Sequence, residues 1–382
     1  MRVAYICADP GIPVFGTKGA SVHVQEIVRA WRARGAEVHI FCTRLGDHRP
    51  EDLDDVAVTV IPVGKGVGSS DAERAADRER RVADVSLRVA RAAIAEGVDV
   101  VYERFSLFSV AMSVIAQRLD IPAYLEVNAP LIEEQRDHRV LIDEAWARGA
   151  LRAQLHAATR VAAVSEPVAT WCLAQADAPE LASRVVVAPN GVNVERIAQV
   201  LPGEDPTVLF VGTLKPWHGT EHLIRAAALA DRRWRLRIVG DGPQGPSLRE
   251  LATELDVQVD FVGAVAPAQI PAAMAGAWVA VAPYPEQEDQ YFSPLKVFEY
   301  SAAGLPVVAS RVGQIPAIIR DGETGLLVEP SRPDQLAEAI DRLVADAAAA
   351  RRMGAAGRAL MTGRHTWAKV LERTIEGEHA PV

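Results

Sequence analysis

The stretch Tyr291-Phe-Ser-Pro-Leu-Lys-Val-Phe-Glu-Tyr300-Ser-Ala-Ala-Gly-Leu-Pro-Val-Val-Ala-Ser310 decides how the rest of the chain is read. It has the grammar of a loop, a short helix and a buried strand. Ser293 is a good N-cap residue, and Pro294 suits the first helical position because it has no N–H to leave unpaired. Gly304 offers a C-terminal stop, and Pro306 introduces an apolar strand from Val307 to Ala309. These signals predict a helix of about ten residues, roughly 15 Å long. The N–H groups of Leu295 and Lys296 then lack intrahelical partners and lie beside a lysine side chain, which suits a phosphate. Glu299, one to two turns further in, can accept two hydrogen bonds from a vicinal diol such as a ribose. The plainer reading, an N-capped amphipathic helix with a surface glutamate, uses the same residues.

Length and composition set the frame. At 382 residues, the chain has room for two domains with their own cores. Hydrophobic residues at 49% and charged residues at 24% describe an ordinary soluble protein. A net charge of −9 argues against nucleic-acid binding or broad attachment to an anionic membrane, while a local basic site or a peripheral membrane contact stays open. Cys7, Cys42 and Cys172 are scattered and odd in number, with no metal or disulfide spacing, so a reducing cytoplasm is expected. The N-terminus goes straight into a strand pattern and reaches Asp9 too soon for a secretory core. No run of eighteen apolar residues exists to span a bilayer.

From the start, Val3 to Ala8 reads as a buried strand, followed by a loop with Gly11, Gly16 and Gly19. Ser21 is placed to cap a helix ending at Gly35, and Val38 to Thr43 is the next strand. Strand, glycine loop, helix and strand open a doubly wound parallel sheet. Residues 71–96 alternate charged and apolar positions as a charged amphipathic helix, read as a solvated face. Asp52 and Asp54 sit in a polar loop and are read as surface. Strands are predicted at 98–102, 123–127, 161–165 and 185–189. Residues 194–206, with Pro202, Gly203 and Pro206, read as a linker. A second strand-loop-helix start follows: Thr207 to Val211, the loop Gly212-Thr-Leu-Lys215-Pro-Trp-His218-Gly219, and a helix from about Thr220. His218 and His222 are spaced for a metal on one helical face, but no third ligand is evident. Gly240-Asp-Gly242-Pro-Gln-Gly245, with Asp260 downstream, matches a dinucleotide glycine pattern, although Pro243 and Pro246 disturb the helix start. Ser331-Arg-Pro-Asp334 has the form of a capping box.

Several of these stretches together resemble the retaining GT-B glycosyltransferases of family four. Gly304-Leu-Pro306-Val-Val-Ala-Ser310 and Asp321-Gly-Glu-Thr-Gly325-Leu-Leu-Val328 are similar to that family's nucleotide-sugar motif, with Glu299 on its second glutamate and Tyr291 where the first would fall. Ser293-Pro-Leu-Lys-Val-Phe-Glu-Tyr300 resembles a subtype of the same family. Gly16-Thr-Lys18-Gly19-Ala-Ser-Val-His23 resembles the acceptor-domain opening, and Pro189-Asn-Gly-Val192 resembles the crossing into the second domain. The resemblance implies an α/β fold of two Rossmann-like domains facing across a cleft. The acceptor-side domain would span 1–194 and the nucleotide-sugar domain 207–363. A C-terminal helix within 364–382 would pack back onto the first.

It also implies roles. Lys215 would clamp the donor phosphates, since Thr213 and His218 stand where the family often has an arginine and a lysine. Gly19, Gly212, Gly240, Gly242, Gly263, Ser293, Leu295 and Lys296 would line the donor, and Glu299 would hold the ribose. Gly16, Lys18 and Asn128 would face the acceptor side, Asn128 replacing a common histidine. The implied reaction moves a sugar from a UDP- or GDP-sugar, UDP favoured, to an unidentified hydroxyl, with retention and with neither metal nor further cofactor. Competing readings are a GT-B-fold sugar-nucleotide epimerase, a nicotinamide-dependent oxidoreductase resting on Gly240, and a non-catalytic nucleotide-sugar-binding relative.

Overall fold

The computed structural model describes residues 1–287 and 290–377, which divide into two α/β units. The first comprises Met1–Pro189, Tyr291–Ser293 and the segment from Trp367; the second comprises Asn190–Gln290 and Pro294–Thr366. In the first unit, β1 (Arg2–Cys7), β2 (Glu37–Cys42), β3 (Ala57–Val60), β4 (Val100–Arg104), β5 (Ala123–Val127), β6 (Arg160–Ala163) and β7 (Val185–Val187) form one sheet. Its order is β3-β2-β1-β4-β5-β6-β7, and every pairing is parallel. Parallel strands need helical crossovers that cover both faces, which is why these strands read as continuous apolar runs. Alternation sorts β1 accordingly. Ala4 and Ile6 join the core under helices Asp71–Glu96, Ala111–Leu119 and Glu144–Ala157. On the same strand Tyr5 stacks on Tyr102 at 5.5 Å, and Trp31 of helix Gly19–Ala33 meets Tyr102 edge-on at 6.2 Å.

The second unit repeats the plan with β8 (Thr207–Val211), β9 (Arg235–Val239), β10 (Val259–Gly263), β11 (Val279–Ala282), β12 (Val307–Ser310) and β13 (Gly325–Val328). Their order is β10-β9-β8-β11-β12-β13, again parallel throughout. Val208, Phe210, Ile238, Val281 and Val308 pack with Leu223 and Ile224 of helix Thr220–Leu229 and with Leu336 and Ile340 of helix Pro333–Ala345. Strand order reverses between β1 and β4 in one unit and between β8 and β11 in the other, and such switch points are where open α/β sheets bind ligands.

Several local expectations change. Helix Gly19–Ala33 starts two residues before Ser21, which is buried inside it, and Lys18 takes the N-cap position without a side-chain bond. Helix Leu295–Ala302 has Pro294, not Ser293, at its N-cap and is 8 residues long. Arg332, not Ser331, precedes helix Pro333–Ala345, and Ser331 sits at φ 57°. The boundary also differs from the expected one. Residues 194–206 group with the second unit because Val200 N–H donates to Ala303 O at 2.8 Å and Gly203 N–H to Gly276 O at 3.0 Å. Thr366 stays with that unit too, bridging Val192. The final helix, Trp367–Glu376, packs on the first unit, where the Trp367 and His23 rings lie 4.7 Å apart.

Candidate active site

In the second unit, the loop after β8 and the segment after β11 flank the switch point. The loop is set by three contacts. Tyr300 grips the end of β8 through its hydroxyl, which accepts from Val211 N–H at 2.6 Å and donates to Val211 O at 3.2 Å. Leu214 N–H donates to Asp241 O at 3.0 Å. Gly240 and Gly242 then let the loop after β9 lie against it: a Cβ on Gly240 would come within 1.9 Å of Gly212 O, and one on Gly242 within 2.4 Å of Leu214 O. This packing accounts for the glycine pattern that a dinucleotide site would otherwise explain. Asp260, the acidic partner such a site would need, pairs instead with Arg237 at 3.2 Å. Gly263 accepts from Gly240 N–H at 2.8 Å and sits at φ 85°, in the left-handed region that favours glycine.

Lys296 dominates the electrostatics here. Its ammonium nitrogen is buried and, among the described residues, has no hydrogen-bond partner. It lies 4.2 Å from the centre of the Phe210 ring and 5.3 Å from that of Tyr284, so cation–π attraction replaces hydrogen bonds. A Cβ on Gly212 would stand 2.7 Å from this nitrogen, so glycine leaves room for it. Burial pushes the ammonium down to about 7, with the nearby Glu299 carboxylate opposing the shift. The N–H groups of Leu295 and Lys296 begin the helix, and the first bond back is Val297 N–H to Pro294 O at 2.9 Å. Two open donors and an unsatisfied ammonium form an anion-seeking cluster.

His218 and Lys215 complete the loop. His218 donates from Nδ1 to Thr213 O at 2.5 Å, and its ring lies 5.9 Å from Tyr284 and 6.2 Å from Phe210. Burial, followed by the charges of Lys296 and Lys215, pushes the imidazole down to about 4. At neutral pH it is uncharged, with Nε2 left as an acceptor. Lys215 is half-buried and reaches over the Trp217 ring at 4.4 Å. Thr213 is exposed. Ser293 groups by its contacts with the first unit rather than with the helix it precedes.

In the first unit, a buried polar network escaped the sequence reading. Glu126 on β5 takes His23 Nε2 at 2.8 Å, the Arg104 guanidinium at 2.8 Å and the Tyr102 hydroxyl at 2.7 Å. Burial alone would raise this carboxyl, but His23, Arg104 and Tyr102 outweigh it and hold Glu126 down to about 2. The Asn128 side-chain nitrogen also donates to Glu126. Lys18 and Gly19 are exposed at the start of their helix, and Gly16 is held by Gln25, which donates to Val14 O and Gly16 O at 3.0 Å each. Tyr291 donates its hydroxyl to Glu134. Asp52 is paired with Arg29 at 2.6 Å, consistent with a surface role. Among the described residues, no group of three His, Cys, Asp or Glu gathers for a metal, and no helix is long and apolar enough to cross a membrane.

Comparison with known proteins agrees with this geometry. Residues 17–196 match the family model described as Glycosyltransferase Family 4, and residues 205–346 match that described as Glycosyl transferases group 1. Both units therefore carry glycosyltransferase domains, and the fold class is GT-B. A GDP-mannose-dependent alpha-(1-6)-phosphatidylinositol monomannoside mannosyltransferase of Mycobacterium tuberculosis is 36% identical over 173 residues, 43% of this chain and 45% of that protein. A D-inositol 3-phosphate glycosyltransferase of Corynebacterium glutamicum is 35% identical over 166 residues, 40% of this chain and 38% of that one. These matches thus span less than half of either relative. Anabaena HepE in complex with UDP superposes with a TM-score of 0.71 over 99% of both chains at 19% identity, a likeness of fold.

Proposed function

We propose that the chain is a retaining glycosyltransferase that moves a sugar from a UDP- or GDP-sugar to a hydroxyl acceptor, without a metal or a further cofactor. The observation that carries this reading is the buried Lys296 ammonium, which has no hydrogen-bond partner among the described residues, beside the start of helix Leu295–Ala302. The diphosphate would sit at these donors, with Lys215 as a further cation and Glu299 accepting from the ribose hydroxyls. As the bond from the sugar C1 to the diphosphate oxygen breaks, negative charge grows on the leaving group, and fixed donors aimed there lower the barrier. The acceptor oxygen bonds to C1 from the same side, and its proton passes to the departing diphosphate, so no protein base is needed. Asn128 is assigned to orienting a hydroxyl. UDP in the HepE complex and GDP-mannose in the name of the mycobacterial relative support a nucleotide-diphosphate donor without choosing its base. Three unpaired, buried cysteines fit a reducing cytoplasm.

Calorimetric titration of UDP, GDP, ADP and NAD, without metal, tests the assignment. UDP or GDP should bind, and the affinity should fall at least tenfold in Glu299→Ala. Binding of NAD alone, or full affinity in the variant, would overturn it.

A further inference from the structure

The first unit holds a cavity of about 700 Å³ that the donor chemistry does not use, a size typical of small-ligand sites. Its walls come from segments following the C-terminal ends of four parallel strands: Asp9 after β1, Lys65 after β3, Leu107 and Phe108 after β4, and Leu131 to Val140 after β5. Those after β1 and β4 straddle the point where strand order reverses, the position at which such sheets take ligands.

Its charges are unevenly committed. The carboxylates are occupied: Asp9 accepts from Gly11 N–H at 2.7 Å, Glu79 from Ile142 and Asp143 N–H at 2.8 and 2.9 Å, and Glu134 from the Tyr291 hydroxyl. Of the cations, Arg74 pairs with Asp71 and donates to Gly68 O at 3.0 Å, but three others are uncommitted. Among the described residues, the side chains of Lys65, Arg78 and Arg139 make no hydrogen bond, ion pair or ring contact. The same cavity has an apolar lining of Val82, Leu107, Phe108 and Leu131. Phe108 is buried and held at φ 63°, a backbone conformation that bulky side chains rarely adopt. Strain of that kind gathers where a site must keep one shape.

We infer that this cavity binds the acceptor, and that the acceptor is an amphipathic molecule bearing a phosphate. Its apolar part lies on that lining, and its anionic group meets Arg78, Arg139 and Lys65. Arginine forks suit phosphate oxygens, and three uncommitted cations in a cavity with an apolar lining select against neutral sugars. The inference rests on the glycosyltransferase reading for the word acceptor, but the binding it requires does not. Gly16, Lys18 and Asn128, the acceptor-side residues expected from sequence, do not line this cavity.

The test uses the full chain and three probes below their micelle thresholds: dodecyl phosphate, neutral dodecyl maltoside and glycerol 3-phosphate. Calorimetry on the wild type should show phosphate-dependent binding, weakened tenfold or more in Arg78→Glu/Arg139→Glu. Binding of dodecyl phosphate alone supports a lipid-borne phosphate, whereas binding of glycerol 3-phosphate as well supports a soluble one. Binding of the maltoside as tightly as the phosphates, no binding of either phosphate, or full affinity in the variant overturns the inference. Thermal melting checks that the variant is folded, and Lys65→Glu takes its place if it is not. UDP and GDP titrations run alongside separate the two proposals, because loss of nucleotide binding in the wild type removes the donor reading and leaves the phosphate result standing.

Discussion

The side-chain nitrogen of Asn128 is committed to the Glu126 carboxylate, two residues back on the end of the same strand. Asn128 therefore has its carbonyl oxygen and its second N–H left to offer, neither of which takes a proton at neutral pH. Glu126 thus orients the Asn128 amide, and the charges around it fix its state. Asn128→Asp would set a second carboxylate against Glu126 and should cost about 1–3 kcal/mol at pH 7, read by urea unfolding. The cost should shrink as the pH falls below the usual carboxylate range.

Glu126→Gln leaves Arg104 facing a neutral amide inside the first unit. A loss of about 3–5 kcal/mol is expected from breaking a buried ion pair. The sign of the pH dependence follows from a carboxyl held down to about 2 in the fold, against 4.5 for a glutamate side chain in water. Its contribution is fully present above about pH 4.5 and fades as the pH falls towards 2. Wild type and variant should therefore converge in acid, and a gap that stays constant from about pH 7 to about pH 3 would contradict this account.

Lys296→Met should move stability and binding in opposite directions. Removing an unpaired buried ammonium while keeping the volume should stabilise the unliganded second unit by about 1–3 kcal/mol. Affinity for the nucleoside diphosphate should fall by tenfold or more. Melting with and without UDP or GDP reads both effects, and a variant that melts lower and binds normally would show that the ammonium is structural.

With its ammonium pushed down to about 7, Lys296 is about half charged at neutral pH. A bound diphosphate favours the charged form, so binding should take up about half a proton at pH 7 and weaken as the pH rises to about 9. Calorimetry in buffers of different ionisation enthalpy measures the uptake directly. His218→Lys, which places a cation where the imidazole is pushed down to about 4, should tighten binding several-fold.

The sequence was most readable where local pattern and tertiary role coincide. Strands Ala123–Val127 and Thr207–Val211 fall where their apolar runs predicted. The serines show the opposite. Ser21, Ser293 and Ser331 have capping chemistry, yet the N-cap positions near them fall to Lys18, Pro294 and Arg332, because helix ends are the part of an element that local pattern fixes least. The Glu126 network was invisible for a different reason: the register of β4 on β5 brings Tyr102 and Arg104 to it, and His23 arrives from helix Gly19–Ala33. Lys296 was read from sequence as a cation beside a phosphate site. Its burial depends on Phe210 and Tyr284, which belong to other elements of the unit, so its weakened charge could not be foreseen.

The approach of Gly240 to Gly212 makes the loops after β8 and β9 moulds of one another. Gly240→Ala should unfold or badly destabilise the second unit, because the new methyl carbon meets a backbone carbonyl rather than a side chain that can swing away. For anyone exchanging donor preference between such proteins, the practical unit of transplantation is the pair. A loop grafted after β8 without its partner after β9 would arrive with nothing shaped to receive it.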